Sequence, residues 1–529
     1  MEDGSGYVKR PLLLIGAVFF VTLWFLTSFR TRWMIIAAPA AVFAVGAVML
    51  CVHKARALTI FLTFLSVAAA CLCFMRAEKE YSFVISTVPG HDRNVVGQVY
   101  EKQYLDDGAR CEVRVTSVDG VETNFKMTVD FPEIAPEKIE KFVPVSFHSD
   151  ISDFESKNIV YINRLRSDKI YASGICFQDQ LKIEENEQKD IIFLLNQTRE
   201  KISKTITDFL PNDNGRLIAG FVLGDKSELS EKTQNDFRVC GISHLLAVSG
   251  LHVYTWSNAL FLCLAGFLSR RKSAVISIAF TVFFMALTGF TPSVVRAGIM
   301  MILVYAGMLF MKVPDSLNSL GAGLVIMLAA NPYSLHSIGL QLSFSAAIGL
   351  SVMNEKILQI KIEIPRHRRL SAVFRSVLRS AAVCAVATAA TIPVLVFSIG
   401  KLSLLCVITN LLCVDLSMFA MIIGGVGAVL SVFRYTSFLG LPTLIVAGFL
   451  AKIIISISSF FGRFDFLYID IDSDHFRVCS AVLIIAGALM YFLKPDFFKN
   501  KLAVVLAAVN LTAVSAMVMN IIEIVKEVR

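Results

Sequence analysis

Charge is scarce in this 529-residue chain: Asp, Glu, Lys and Arg make up 17% of it, against 55% hydrophobic residues. A soluble globular protein carries about 25% charged residues. The shortfall, with a mean hydropathy of +0.66, excludes a water-soluble globule and implies a polytopic membrane protein. Tryptophan is nearly absent, three residues against 41 Phe, as suits lipid-facing helices. The chain also lacks a Walker A loop, a GxGxxG after a strand, an HExxH helix and any clustered string of metal-ligating His and Asp. None of the eleven cysteines forms a CxxC pair, and most lie in or beside apolar runs, where a thiol acts as a small hydrophobe. No structural metal and no cofactor is expected.

What is present divides into four parts. Residues 1–80 hold apolar segments at about 11–29, 33–52 and 57–75, each close to the ~20 residues a spanning helix needs. The first has no small-residue cleavage site and is followed directly by two more, so it is expected to be retained rather than removed as a signal peptide. Residues 86–185 change character, with short alternating runs at Val95–Val99, Cys111–Val115, Phe125–Val129, Val143–Phe147 and Tyr171–Ile175. Asp-Gly pairs at Asp107-Gly108 and Asp119-Gly120 mark hairpins. Five or six strands in about 90 residues predict a small β-barrel of the oligonucleotide/oligosaccharide-binding (OB) type. Cys111 and Cys176 are this module's only cysteines. They pair as a disulfide if the module is extracytoplasmic, or they are two separate core thiols.

Residues 190–238 form an amphipathic, charged connector expected to lie along the membrane surface. From 239 to 523 the chain stays hydrophobic, with about ten segments at 243–268, 273–290, 294–311, 317–331, 335–353, 377–399, 403–431, 437–461, 476–493 and 501–523. The predicted fold is a polytopic α-helical membrane protein of about 10–13 spans with one small β module. If the module lies outside, the basic loops at 270–272, 354–379 and 494–501 fall on the cytoplasmic side, as the positive-inside rule requires. That count leaves the C-terminus outside.

The module is a poor electrostatic grip for nucleic acid. Residues 91–190 carry 20 acidic and 13 basic side chains, a net of −7; since the chain as a whole is +8, the remainder is +15. A nucleic-acid groove is basic, and Phe125, Phe147 and Tyr161 fit core packing better than base stacking.

Polar residues interrupt the apolar region in a few places. Gly241-Ile-Ser-His-Leu-Leu-Ala-Val-Ser-Gly-Leu-His-Val253 carries His244, Ser249, Gly250 and His252. On one continuous helix these do not form a single stripe; a bend at Gly250 would bring them to a common cavity. Helix–helix contact is the plainer alternative. A Ser249–His252 hydrolytic pair would need a third orienting group and an oxyanion hole, and the sequence displays neither. Arg296 follows Pro292 at the start of an apolar helix and suits phosphate recognition, headgroup contact or an acidic partner. Gln341, Asn410 and Asp415 lie within spans; Asp415 needs a partner, for which Arg296 is a candidate. Together these positions outline a polar path through the helical core.

The 241–253 string resembles the signature of the ComEC competence proteins. The resemblance continues through Leu223-Gly-Asp-Lys226, Thr288-Gly-Phe290, Val295-Arg-Ala-Gly-Ile-Met300, Asn331-Pro-Tyr333, Gly339-Leu-Gln-Leu-Ser-Phe344, Thr391-Ile-Pro393 and Thr409-Asn-Leu-Leu412. It spans roughly 210–490 as that family's competence domain, with the preceding region similar to its OB-like N-terminal part. The resemblance implies an inner-membrane channel passing single-stranded DNA into a bacterial cell during transformation, fed by a DNA receptor and drawn by a cytoplasmic ATPase. It makes His244, Ser249, Gly250, His252 and Arg296 channel candidates. Many members continue into a metallo-β-lactamase-like domain. The present sequence has no HxHxDH-type string, so nuclease activity from it, and enzyme activity generally, is not expected. The alternatives are a transporter of another polyanion or an envelope lipid, and, further off, a membrane-embedded Ser/His hydrolase.

Overall fold

The computed structural model of the protein describes residues 10–28, 57–105, 108–132, 143–154, 158–177, 181–183, 191–224, 229–246, 249–310, 315–358, 368–432 and 435–470. The segments expected at 33–52, 476–493 and 501–523, and residues 359–367 of the basic loop 354–379, lie outside the described residues. The chain falls into two units, Met1–Asn196 with Gly321–Ser337, and Gln197–Leu320 with Ile338–Arg529.

In the first unit, apolar helices α1 (Pro11–Ser28) and α2 (Ala57–Thr87) pack together. Gly16 lies so close to Gly321 that a Cβ on Gly16 would sit 2.7 Å from the Gly321 carbonyl oxygen, a small-residue contact of the kind that joins helices in lipid. Helix α2 runs twelve residues past the expected end of its apolar run and leads into the strands. These are β1 (Gly90–Leu105), β2 (Gly108–Val118), β3 (Val121–Pro132) and β4 (Pro144–Ser152). Helix α3 (Ile159–Ser167) follows, then β5 (Ile170–Ile175) and β6 (Leu181–Ile183). Antiparallel pairings β1–β2, β2–β3, β4–β5 and β1–β4, with a parallel β3–β5 pairing, close the first five strands into a near-barrel ring of OB type. β6 adds to β4.

The expected alternation is what fills this ring. Every second residue of β2 and β3 points inward, among them Val113, Val115, Phe125, Met127 and Phe131. Asp119 (φ 49°) and Gly120 (φ 81°) make the turn between them with positive φ at both centres, as the Asp-Gly signal requires. The Asn94 amide and Arg93 hold the Asp119 carboxyl below its ordinary range. Phe125 and Phe147 are buried and Tyr161 is about half exposed, so neither buried ring is free to stack on a base. Cys111 and Cys176 both sit in the same core as thiols, with Cys176 Sγ donating to the Phe177 carbonyl at 3.4 Å.

A single buried cation joins the ring to the helices of this unit. Arg166, on α3 and 1% exposed, donates to Glu78 at 2.8 Å and to the Tyr333 hydroxyl at 2.7 Å. Its guanidinium lies 3.3 Å from the Tyr81 ring centroid, and Tyr333 in turn donates to Glu78. Burial works against the charge, but Tyr333 and Glu78 outweigh it and raise the Arg166 pKa above its ordinary value. Asn331 completes the joint: its side-chain amide donates to the carbonyls of Arg166 and Ser167, and its oxygen accepts from the Tyr333 amide. Asn163 donates to the Thr27 carbonyl at the end of α1, and His336 meets the Thr27 hydroxyl at 2.8 Å.

The second unit begins with α4 (Ile191–Phe209), α5 (Asp213–Leu223) and α6 (Glu231–Val239). It continues through α7 (Gly250–Ala265), α8 (Arg270–Leu287), α9 (Pro292–Leu309), α10 (Ser316–Ala330, whose later part belongs to the first unit), α11 (Ile338–Leu358), α12 (Arg368–Ser398), α13 (Cys406–Val432) and α14 (Ser437–Phe461). Among the described residues five helices are long and apolar enough to cross a membrane: Pro11–Ser28, Phe61–Thr87, Phe374–Ser398, Cys406–Val432 and Ser437–Phe461. Ser293–Leu309, Ser316–Ala330 and Ile338–Met353 are apolar but shorter. The connector is amphipathic, as expected, and part of it is packed against the long helices. Leu217, Ile218 and Phe221 of α5 are buried in one core with α13 and α14. The reason is the glycines of α13: Ile218 packs onto Gly424 and Trp256 onto Gly425, which leave a trough that the apolar face of α5 fills. Asp213 fastens the start of α5 to the N-cap of α6 by accepting from Ser230 and from Thr233.

Removing a partner from a buried charge is more damaging than removing the pair. Glu78→Gln is expected to lower stability by about 2–4 kcal/mol, Glu78 being partly exposed. The double change Arg166→Met with Glu78→Gln is expected to recover part of that loss. Thermal unfolding of the purified protein in detergent reads both, and a double variant less stable than the single one would refute the arrangement.

Candidate functional site

The 241–253 string is not one helix. Helix α6 ends at Cys240 and Gly241, with Gly241 at φ 72°. The Ile242 amide bonds to the Phe237 carbonyl and the Gly241 amide to that of Arg238, the two bonds of a Schellman termination. A 3₁₀ turn follows at Ser243–Leu245. Residues 247 and 248 lie outside the described residues, and α7 starts at Gly250 with Ser249 extended as its N-cap (φ −114°, ψ 172°). The break expected at Gly250 therefore falls one residue earlier, at a residue type suited to capping. Gly250 instead permits close approach: a Cβ there would lie 3.3 Å from Ala297 Cβ on α9.

Ser249 and His252 form the cap of α7. The Ser249 amide donates to His252 Nδ1 at 3.2 Å, and Ser249 Oγ lies 2.9 Å from the same nitrogen. An Nδ1 that accepts from a backbone amide carries no proton, so His252 does here what Glu or Gln does in a capping box. Its ring is 3% exposed and tilts against Phe221, 6.3 Å between centroids. His244 differs. It lies in the 3₁₀ turn and is exposed.

A second irregular stretch meets the first. After α12 the chain turns at Gly400 (φ 72°) and runs extended, with β7 (Lys401–Ser403) pairing with β8 (Tyr468–Asp470), before α13 begins. Ser403 Oγ donates to the Val239 carbonyl at 2.6 Å and Thr409 Oγ1 to the Cys240 carbonyl at 2.7 Å. Cys406 Sγ lies 3.8 Å from the Gly241 carbonyl oxygen. Every carbonyl from Asp236 to Gly241 thus has a partner, as a helix end in an apolar setting demands. A Cβ on Gly241 would come within 2.9 Å of Ser403 Cβ and 3.0 Å of Cys406 Cβ. Gly241 is a position where both the backbone and the close neighbours require glycine. A Gly just after a helix whose last turn carries Arg238 is the signal that would have marked it.

The remaining polar positions separate into two places. Arg296 on α9 is 6% exposed, and its guanidinium lies against Gly339 in the first turn of α11, where an added Cβ would be 3.1 Å from Nη2. A cation gains nothing from the dipole at a helix N-terminus, so α11 does not account for its presence. Gln341 is buried on the same helix. Asn410 and Asp415 lie instead on the wall of a cavity of about 530 Å³ between α12 and α13, which Arg375 and Arg379 also line. Asp415 therefore faces a cavity shared with those two arginines. Asn410 Nδ2 donates to Cys406 Sγ at 3.1 Å, so one turn of α13 both closes the seam at Gly241 and opens onto the cavity. Among the described residues no group of three or more His, Cys, Asp or Glu is placed to hold a metal ion.

Comparison with known proteins places this architecture. Residues 221–496 match the family described as competence protein. The ComE operon protein 3 of Bacillus subtilis (strain 168) is 26% identical over 254 residues, which cover 48% of this chain and 31% of that protein. The match thus spans less than a third of the relative's length. No solved structure matches. The matched region begins at Phe221 in α5 and takes in the seam, Arg296 and the cavity together, and on that extent the chain belongs to the competence protein family.

Proposed function

We propose that the chain is the membrane channel subunit through which single-stranded DNA enters the cell during transformation. The observation that carries this reading is the seam between two irregular stretches, 240–246 and 399–405, with His244 exposed at it. Non-helical backbone at membrane depth is tolerated where it is buried in protein or lines a water-filled passage. The seam leads through Asn410 to a cavity lined by two arginines, and basic groups along a passage suit a polyanion. In this reading the module at 86–185 and the C-terminus lie outside the cytoplasm, a DNA receptor delivers the strand, and a cytoplasmic ATPase draws it. The module's net −7 argues against its being the grip on the strand.

The chain acts without catalysis in this reading. Ser249 and His252 together cap α7, with His252 Nδ1 accepting from the Ser249 amide, a structural task that accounts for both residues.

Deleting the gene is expected to abolish uptake of labelled DNA and transformation, with normal transformation refuting the proposal. Complementation with Gly241→Ala is expected to restore less than about a tenth of the activity, since a side chain at this φ costs about 1–3 kcal/mol before any clash. His244→Ala and Arg296→Gln are expected to lower uptake with the protein still present in the membrane. Ser249→Asn, which keeps a capping side chain but has no hydroxyl, separates the cap from the nucleophile: it is expected to transform nearly as well as the parent, and a hydrolytic Ser249 would make it inactive.

A further inference from the structure

Arg375 and Arg379 sit where topology alone would use them, at the cytoplasmic-type basic end of a span. Their surroundings do more than that. On α12, Arg375, Ser376, Arg379 and Ser380 recur at i, i+1, i+4 and i+5, which puts them on one face. Asn410 and Asp415 come from the facing side of α13, and all six line the same cavity of about 530 Å³. That volume lies within the range of about 300–1,000 Å³ usual for a small-ligand site. Arginines set on a helix only to fix its orientation would extend to the headgroups; these two line a pocket shared with a neighbouring span, whose wall is otherwise largely apolar.

The geometry points to a phosphodiester-binding site between α12 and α13, in which Arg375 and Arg379 hold the phosphate oxygens. It rests on the transport reading for its physiological ligand, and it names the part of the passage that touches the backbone of the strand. Guanidinium groups match phosphate oxygens with paired N–H donors, and the Ser376 and Ser380 hydroxyls supply further donors from the same face. Two guanidiniums against the Asp415 carboxylate leave one excess positive charge on these six residues, the complement of one phosphodiester. Asp415 has a second consequence. It repels the bound anion from the opposite wall, so a phosphate is held weakly enough to leave, as conduction through a selective passage requires. The same chemistry would hold the phosphate of an anionic lipid headgroup.

The test uses the full chain purified in detergent, with labelled oligo-dT as one probe and retained phosphatidylglycerol as the other. Arg375→Gln with Arg379→Gln is expected to weaken oligo-dT binding about tenfold or more and to flatten its salt dependence by about 1.4, at about 0.7 for each lost contact to a single strand. Arg375→Lys with Arg379→Lys keeps the charge and is expected to fall between. Asp415→Asn is expected to tighten binding severalfold, which keeps the assignment testable if the double Gln variant misfolds. Loss of oligo-dT binding identifies the strand as ligand; loss of phosphatidylglycerol alone, against phosphatidylcholine as control, identifies a lipid headgroup at the same site. Unchanged retention of both probes in a folded double Gln variant, or weaker binding by Asp415→Asn, overturns the site. A gene whose deletion leaves transformation intact would end the transport reading without touching these binding measurements. Binding that ignores the arginines would end the site and leave the transport reading standing.

Discussion

A carbonyl that leaves its helix inside an apolar layer must find a donor nearby, and the second unit is arranged around that requirement. Six successive carbonyls, from Asp236 to Gly241, are released as α6 ends. Backbone amides take the first three, and Ser403, Thr409 and Cys406 meet the rest. The donors come from the stretch where α12 gives way to α13, more than 160 residues later. Motifs that look independent along the sequence, the string at 241 and the Thr409-Asn410 pair, are two sides of one joint. Gly241 can sit there because it alone tolerates both the φ of 72° and the approach of Ser403 and Cys406.

Most element boundaries were legible because they follow from length and periodicity. The segment at 437–461 coincides with α14, that at 403–431 is within a few residues of α13, and the five expected strands fall on β1 to β5, with Val143 one residue ahead of β4. Asp119-Gly120 named its own turn. Legibility failed where a residue is defined by its partner. Arg166 sits in an acidic, strand-rich region and looks like an ordinary surface charge, yet it is one of the most deeply buried side chains, because Glu78 on the extended end of α2 and Tyr333 close over it. Asp415 announced that it needed a partner, but not which arginines face it. The Ser249 break was placed one residue late because a His at the third helical position does not look like half of a capping box.

Polarity within the spans also divides into two kinds that composition does not distinguish. Thr281, Thr288 and Thr391 turn back onto carbonyls three or four residues earlier in their own helices, so they add nothing to a passage. Ser257 and Thr281 meet across two helices at 2.9 Å, which is adhesion. The long or charged groups are placed otherwise: His244 at the seam, Arg296 over Gly339, and Arg375, Arg379, Asn410 and Asp415 around the cavity.

The Arg166 joint also sets a clock. Arg166 and Tyr333 are 167 residues apart, so at synthesis rates of about 5–20 residues per second roughly 8–30 s separate their appearance. During that interval the guanidinium has Glu78 and Tyr81 at hand but lacks the hydroxyl that covers it and the Asn331 amide that ties down α3. The β ring can close its own strands early, since all of them are made by residue 183. Its attachment to the helices waits until the turn at 331–333 has been threaded into place. Completion of the N-terminal half is therefore timed by the insertion of helices from the other half, and a chain truncated before Asn331 would carry a finished ring with its buried charge unsealed.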